Sequence, residues 1–335
     1  MVQNPDKFRA MVVEQTADGR FERRIQERTL SDLPDGDVLV KVQYSSLNYK
    51  DALSAIGNKG VTRHYPHTPG IDAAGEVVES RSDAFKAGEA VLVAGHDMGM
   101  ETDGGFGRYV RVPADWVLHL PAGMDARLSM MYGTAGFTAG LSLYELEGAG
   151  ITQESGDILV TGASGGVGSL AVGILGAAGY SVIAATGKAG ASEILTRLGA
   201  ASVVDRGDVQ DSSDKPLLKS RFAGAIDTVG GPMLSSAIRS VKYGGAVTCC
   251  GNAASPDLQL TVYPFILRAV RLIGIESVAC PRHIRQLIWE RLAGKWRVSE
   301  LSGLITEIGL DAVPDELTAM LEDRHMGRSI VCLGD

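Results

Sequence analysis

DILVTGASGGVGSLAV, residues 157–172, decides how the rest of the chain is read. An apolar, strand-like run, DILVTG (157–162), stops at a glycine-rich turn. It resumes as VGSLAVGILGAAG (167–179), a stretch suited to a helix. Gly162, Gly165 and Gly168 are spaced GxxGxxG, and Ala163 stands where the stricter GxGxxG pattern has its first glycine. Such a turn lets the backbone bend sharply after a strand, approach a pyrophosphate closely and pack the helix against the sheet. Unpaired N–H groups at the helix start then face the phosphates. Glycine spacing alone is weak, but a strand before it and a helix after it supply the context the motif requires. The residues expected to meet the phosphates are Gly162, Ser164, Gly165, Gly166, Val167 and Gly168.

The next strand, YSVIAAT (180–186), ends in Thr186-Gly187-Lys188. A site for NAD usually carries Asp or Glu there to bind the ribose 2′-hydroxyl. No carboxylate stands here to repel a 2′-phosphate. Lys188 and Arg206, just after ASVVD (201–205), offer it positive charge, so NADPH is the expected cofactor. Further strand-like runs follow at GAIDTVG (224–230), GAVTCCG (245–251) and VRLIGIE (270–276), with helical stretches such as ASEILTRLGA (191–200) among them. That alternation predicts a doubly wound parallel α/β sheet.

Upstream the texture differs. GDVLVKVQY (36–44), PGIDAAGEVVES (69–80), GEAVLVAG (88–95) and GGFGRYVRVPADWVLHLP (104–121) are short strands between turns, as in a small antiparallel barrel. After residue 277 a helix-like segment (281–295), a short helix (314–323) and a strand (328–334) close the chain. The expected division is 1–125 with 278–335 as a mainly antiparallel domain, and 126–277 as the nucleotide-binding domain. Two domains also suit 335 residues, since a single core stops growing at about 250–300.

Apolar residues make up 45% and charged residues 21%, the balance of a soluble globular protein. A net charge of −8 argues against a nucleic-acid or anionic-membrane partner. No apolar run approaches the ~20 residues of a membrane span. MVQNPDKFRA has no apolar signal core. The four cysteines, Cys249, Cys250, Cys280 and Cys332, form no CxxC and read as reduced thiols of a cytoplasmic protein. Zinc is not expected. Pro66 lies between His64 and His67, the other histidines are scattered, and no cysteine precedes residue 249.

SSLNYKDAL (45–53), PGIDAAGEV, GTAGFTAG (133–140), VTGASGGVG, GAIDTVGG, PFILRAVRLIGI and the terminal GR together resemble the medium-chain dehydrogenase/reductase superfamily over nearly the whole chain. Within it they resemble the quinone-oxidoreductase branch, and most of all its NADPH-dependent acrylyl-CoA reductases. The resemblance implies a GroES-like domain, a Rossmann domain, a zinc-free site in the cleft between them, and a homodimer built partly by edge strands such as VRLIGIE. Zinc-dependent relatives place a cysteine ligand where this chain has Asn48, and a His-Glu pair near Ile71-Asp72. The resemblance further implies that Tyr49 lines the nicotinamide pocket. It places Thr134, Asn252, Ile266, Ser277 and Arg328 at the cofactor site, with Thr186, Gly187, Lys188 and Arg206 around the phosphate. Lys188 replaces an arginine common in relatives.

The reaction implied is conjugate reduction of a 2-enoyl thioester, acrylyl-CoA to propionyl-CoA above all. It needs a positioned enone, a stabilised oxyanion and a proton. Tyr49 is the expected polar group beside the nicotinamide, and Asn48 a hydrogen-bond donor to substrate or ribose. Asp51 is expected to cap the helix that starts here, and Lys50 to be solvated. Two rival readings remain: a quinone or enone reductase with no use for coenzyme A, and an NADPH-binding redox sensor without turnover.

Overall fold

The glycine turn lies where strand meets helix. In the computed structural model, which describes residues 7–322 and 324–334, strand Ile158–Val160 runs through the turn into helix Gly166–Ala177 and then strand Val182–Thr186. Six strands form one parallel sheet. Their spatial order is Ser202–Asp205, Val182–Thr186, Ile158–Val160, Phe222–Asp227, Val241–Cys249 and Arg271–Gly274. The order reverses beside Ile158–Val160, the switch point outside which such sheets bind ligands at their carboxyl ends. The central strands Ile158–Val160 and Phe222–Asp227 are buried at every position, as strands covered on both faces must be.

The chain divides into two compact units, one ending at Thr134 and resuming at Ile305, the other running Ala135–Leu304. The first holds a seven-stranded sheet in which Val38–Ser46 pairs antiparallel with Asp72–Ser80, Tyr109–Val112 and Arg328–Cys332. Only Ile305–Gly309 with Arg328–Cys332 is parallel. A separate hairpin joins Lys7–Gln15 to Phe21–Thr29. Alternating Val38, Val40 and Val42 bury one face of the central strand among Met11, Val77, Val93 and Phe106.

Both boundaries differ from the sequence-based division at 125/126 and 277/278. Residues 278–304 group with the parallel sheet's unit because helix Arg282–Ala293 buries Ile288, Trp289 and Leu292, with Trp289 stacked 6.2 Å from Phe137. Residues 126–148, given no element from sequence, form a helical stretch interrupted at Gly133. Its apolar residues fall on all sides, so no amphipathic period marks it. Residues 1–6, the start of the segment read as lacking a signal, lie outside the described residues.

Candidate active site

Strand Val38–Ser46 delivers the chain to Asn48, the N-cap of helix Tyr49–Ser54. Asp51 closes this start as expected, its Oδ2 accepting the Asn48 N–H at 2.7 Å. It does more: Oδ1 accepts the N–H groups of Gly70 and Ile71 at 3.1 and 2.9 Å, tying the helix to the entry of the next strand. Burial, then the neighbouring charge of Asp72, pushes the Asp51 carboxyl up to about 7, against the pull of its N–H donors.

Asp72 is the hub. Its carboxylate accepts Ser46 Oγ at 2.6 Å, Asn48 Nδ2 at 2.8 Å, and both the N–H and the hydroxyl of Thr134. Arg328 completes the cluster. Nη1 donates to the Leu47 carbonyl at 2.7 Å and Asn48 Oδ1 at 3.3 Å, and Nη2 donates to Ser46 Oγ at 2.7 Å. Burial lowers the Arg328 pKa while the charges of Asp72 and Asp51 hold it up, and a guanidinium keeps its proton in proteins. Gly133 makes room for this packing. It has φ +52°, and a Cβ there would lie 2.4 to 2.6 Å from Ser46 Oγ, Arg328 Nη2 and Asp72 Oδ2.

Three of the expected site residues belong to this cluster. Arg328, expected at the cofactor, is 3% exposed and donates to Leu47, Ser46 and Asn48. Thr134 turns both its donors to Asp72. Asn48 is buried, and its amide serves Asp72 and Arg328 before any substrate. Tyr49 differs: it is 55% exposed, and its hydroxyl makes no hydrogen bond among the described residues.

At the glycine turn the three glycines have separate reasons. A Cβ on Gly162, at φ +59°, would strike Thr228 Oγ1 at 2.4 Å, and one on Gly168 would lie 2.2 Å from the Gly162 carbonyl. A Cβ on Gly165 would meet only that carbonyl, at an ordinary 3.4 Å, and otherwise reach open space. The protein itself therefore does not demand Gly165; a ligand pressed against the backbone would. No side chain caps the helix at Gly165, and Gly166 and Val167 are half-buried, so first-turn N–H groups remain accessible. Ser164 Oγ and Thr186 Oγ1 lie 2.8 Å apart and link the turn to the second strand.

Arg206 lies against Gly187, where a Cβ would come within 2.9 Å of its Nε. Lys188 is half-buried and Arg206 exposed. The carboxylate in register with Thr186, Asp205, accepts the Gly207 N–H at 2.7 Å. At the carboxyl ends of the next strands, Gly251 packs on the Thr228 backbone and Asn252 lies against Gly230. Ser277 is half-buried just beyond strand Arg271–Gly274, and Ile266 is 68% exposed on helix Tyr263–Arg268. Burial raises the thiols of Cys249 and Cys280, and that of Cys250 to about 12, which makes them poor nucleophiles.

Residues 34–122 match the alcohol dehydrogenase GroES-like domain, and residues 166–293 the zinc-binding dehydrogenase family. The acrylyl-CoA reductase AcuI of Ruegeria pomeroyi is 41% identical, over 97% of this chain and 98% of its own. The structure of Escherichia coli K-12 YhdH with bound NADPH superposes with a TM-score of 0.93 at 43% identity, covering 97% and 100% of the two chains. Bacillus subtilis yhfP, solved with NAD bound, gives 0.95 at 42%, covering 97% and 99%. The curated name of that protein provisionally assigns it quinone oxidoreductase activity.

The residues around Asp72 do not fit zinc. Zinc takes thiolate, imidazole and carboxylate ligands in a tetrahedron. Here Asn48 donates to Asp72, Asp51 is engaged by three backbone N–H groups, and a guanidinium shares Ser46 with Asp72. Among the described residues no group of three or more His, Cys, Asp or Glu could hold a metal ion.

Proposed function

We propose, for a chain that belongs to the medium-chain dehydrogenase/reductase superfamily, the zinc-independent, NADPH-dependent reduction of the C=C bond of a short 2-enoyl-CoA, acrylyl-CoA to propionyl-CoA above all. The protein is an oxidoreductase of the acrylyl-CoA reductase-like group, and its cofactor is NADP(H). The observation that carries the zinc-free reading is the hydrogen-bonded Asn48–Asp72 pair with Arg328 beside it.

The cofactor fits the open backbone at Gly165, the accessible helix start and the basic pair Lys188 and Arg206. When bound, it supplies a hydride to the β-carbon of the enone. The chain's own work is to orient the thioester and to offer donors where negative charge grows on its oxygen. Tyr49, exposed and without a hydrogen-bond partner among the described residues, is the donor we assign to that oxygen. The Asp72 cluster fixes the Asn48 end of the helix that carries Tyr49. Asn252, Ser277 and Ile266 stay assigned to the cofactor pocket by resemblance. Thr134 and Arg328 belong to the Asp72 cluster that holds Asn48.

Steady-state NADPH oxidation across acrylyl-CoA, crotonyl-CoA and a simple quinone tests the substrate. Turnover of the quinone alone would favour the second reading, quinone reduction, which the name of the Bacillus relative supports. Activity lost to chelators and restored by zinc would overturn the metal-free reading. We also propose a homodimer joined at the edge strand Arg271–Gly274, near which Tyr243, Val262 and Leu267 are exposed, and a cytoplasmic location. Light scattering would test the first, and cell fractionation the second. Among the described residues no helix is long and apolar enough to cross a membrane.

A further inference from the structure

The segment Glu276–Cys280 follows the last strand of the parallel sheet and belongs to no helix or strand. Two side chains nevertheless fix it. Arg285, 2% exposed on helix Arg282–Ala293, donates from Nη2 to the carbonyls of Ser277 and Val278 at 2.8 and 3.0 Å. Its guanidinium lies 4.9 Å over the Phe137 ring. From the other end, the Glu276 carboxylate accepts the N–H groups of Val278 and Ala279 at 2.7 and 2.5 Å. A cavity of about 270 Å³ flanks the segment, lined by Leu141, Glu145, Glu276, Ala279, Cys280 and Ile284. The two polar clamps therefore hold the segment from both sides.

In a doubly wound sheet the two halves each take one nucleotide at their carboxyl ends. The half carrying Thr186 and Arg206 faces the adenosine phosphate on the present reading, which leaves the half ending at Cys249 and Gly274 for the nicotinamide nucleotide. We propose that Arg285 is a positioning residue for that half: by holding the Ser277 and Val278 carbonyls it sets the surface on which the nicotinamide nucleotide docks. The inference rests on the nucleotide site proposed above.

The test titrates NADPH and NADH into the full chain and its Arg285→Met and Arg285→Lys variants, following cofactor fluorescence. Loss of two hydrogen bonds from a charged donor should raise both Kd values about tenfold in Arg285→Met. The NADPH-to-NADH ratio should stay unchanged, since Lys188 and Arg206 are untouched. Arg285→Lys, which keeps a charge that can reach one carbonyl, should recover part of the loss. A guanidinium that only stabilised the fold would lower the melting temperature and leave the Kd of folded protein alone; that result overturns the proposal. If Arg285→Met does not fold, Glu276→Ala decides, since it releases the same segment from its exposed end and should weaken both cofactors alike. Wild-type protein that binds neither cofactor would sink the nucleotide site itself, a different outcome from wild-type binding with insensitive variants.

Discussion

Arg328 and Arg206 are the same residue type in opposite settings. Arg328 is 3% exposed, shares Ser46 and Asn48 with the hub at Asp72 and holds the Leu47 carbonyl, so its donors face inward. Arg206 is exposed and lies across a glycine at the end of a strand, so its charge faces solvent. Both are basic residues in a family whose cofactor is anionic, yet only Arg206 leaves its charge exposed. Burial with internal partners turns an arginine into structure, while exposure beside an open backbone leaves it for a ligand. The contrast predicts different failures, the largest first.

Arg328→Met should unfold the first unit far more readily. Removing one partner from a buried charge cluster costs about 3–5 kcal/mol, because Asp72 is left without its cation. Urea unfolding reads this directly. A loss below about 1 kcal/mol, the scale of an exposed pair, would place Arg328 with Arg206.

The same cluster should make stability depend on pH. The folded Asp51 carboxyl titrates at about 7, above the usual carboxylate range, so the folded state holds a proton that the unfolded chain has released. Its contribution is full at acid pH, below the usual carboxylate pKa, and is lost as pH rises through 7. Burial of His67 works the other way: its pKa is lowered, so stability is lost as pH falls through the ordinary histidine range. Below the ordinary histidine pKa the two slopes oppose one another; above it the Asp51 loss is uncompensated, so the melting temperature should fall as pH approaches 7 and level off beyond it. Asp51→Asn should lower it throughout, since an amide cannot accept all three N–H groups, and should remove the decline that ends near pH 7. A decline that persists in the variant would assign it elsewhere.

At the exposed end, Arg206→Ala and Lys188→Ala should each lower kcat/KM for NADPH by about ten- to hundredfold. A charge-assisted contact is worth about 1.5–3 kcal/mol. NADH should change far less, and thermal stability should not move. The relative solved with NAD makes the comparison pointed, because the same fold accepts the cofactor without the phosphate. Equal losses for both cofactors would make these residues part of the fold, like Arg328.

The two regions were not equally legible in sequence. The glycine turn, the strand end at Thr186 and the nearby Lys188 and Arg206 lie within fifty residues and follow a local pattern, so their placement could be read from spacing. The Asp72 cluster joins residues 46, 48, 72, 134 and 328, which no periodicity connects. Family resemblance named Thr134 and Arg328 but gave no sign of their bonds to Asp72, Ser46, Leu47 and Asn48. Gly133 carried a signal, since a glycine before Thr134 in an otherwise helical stretch hints at close approach. Helix Ala126–Gly148 hid because it is apolar all round, and the domain boundary at 304 because it depends on what Trp289 packs against.

The smallest effect should separate Tyr49 from both regions. It stands one residue past Asn48, on the first turn of a helix whose start the buried cluster fixes, yet its ring is half exposed. With no partner for its hydroxyl among the described residues, Tyr49→Phe removes nothing that the described fold uses, and urea unfolding should match wild type. Were the phenol a donor to the growing thioester oxygen, its loss would act on the transition state and not on the bound ground state. Turnover and kcat/KM would then fall together, by about tenfold for one neutral hydrogen bond, while Kd for NADPH held. A phenol that merely walls the pocket gives the opposite split, with kcat at wild-type level and at most a shifted KM. The pair of measurements decides whether this residue belongs with Arg206 as a group kept for ligands, or only borders the cluster that Arg328 holds.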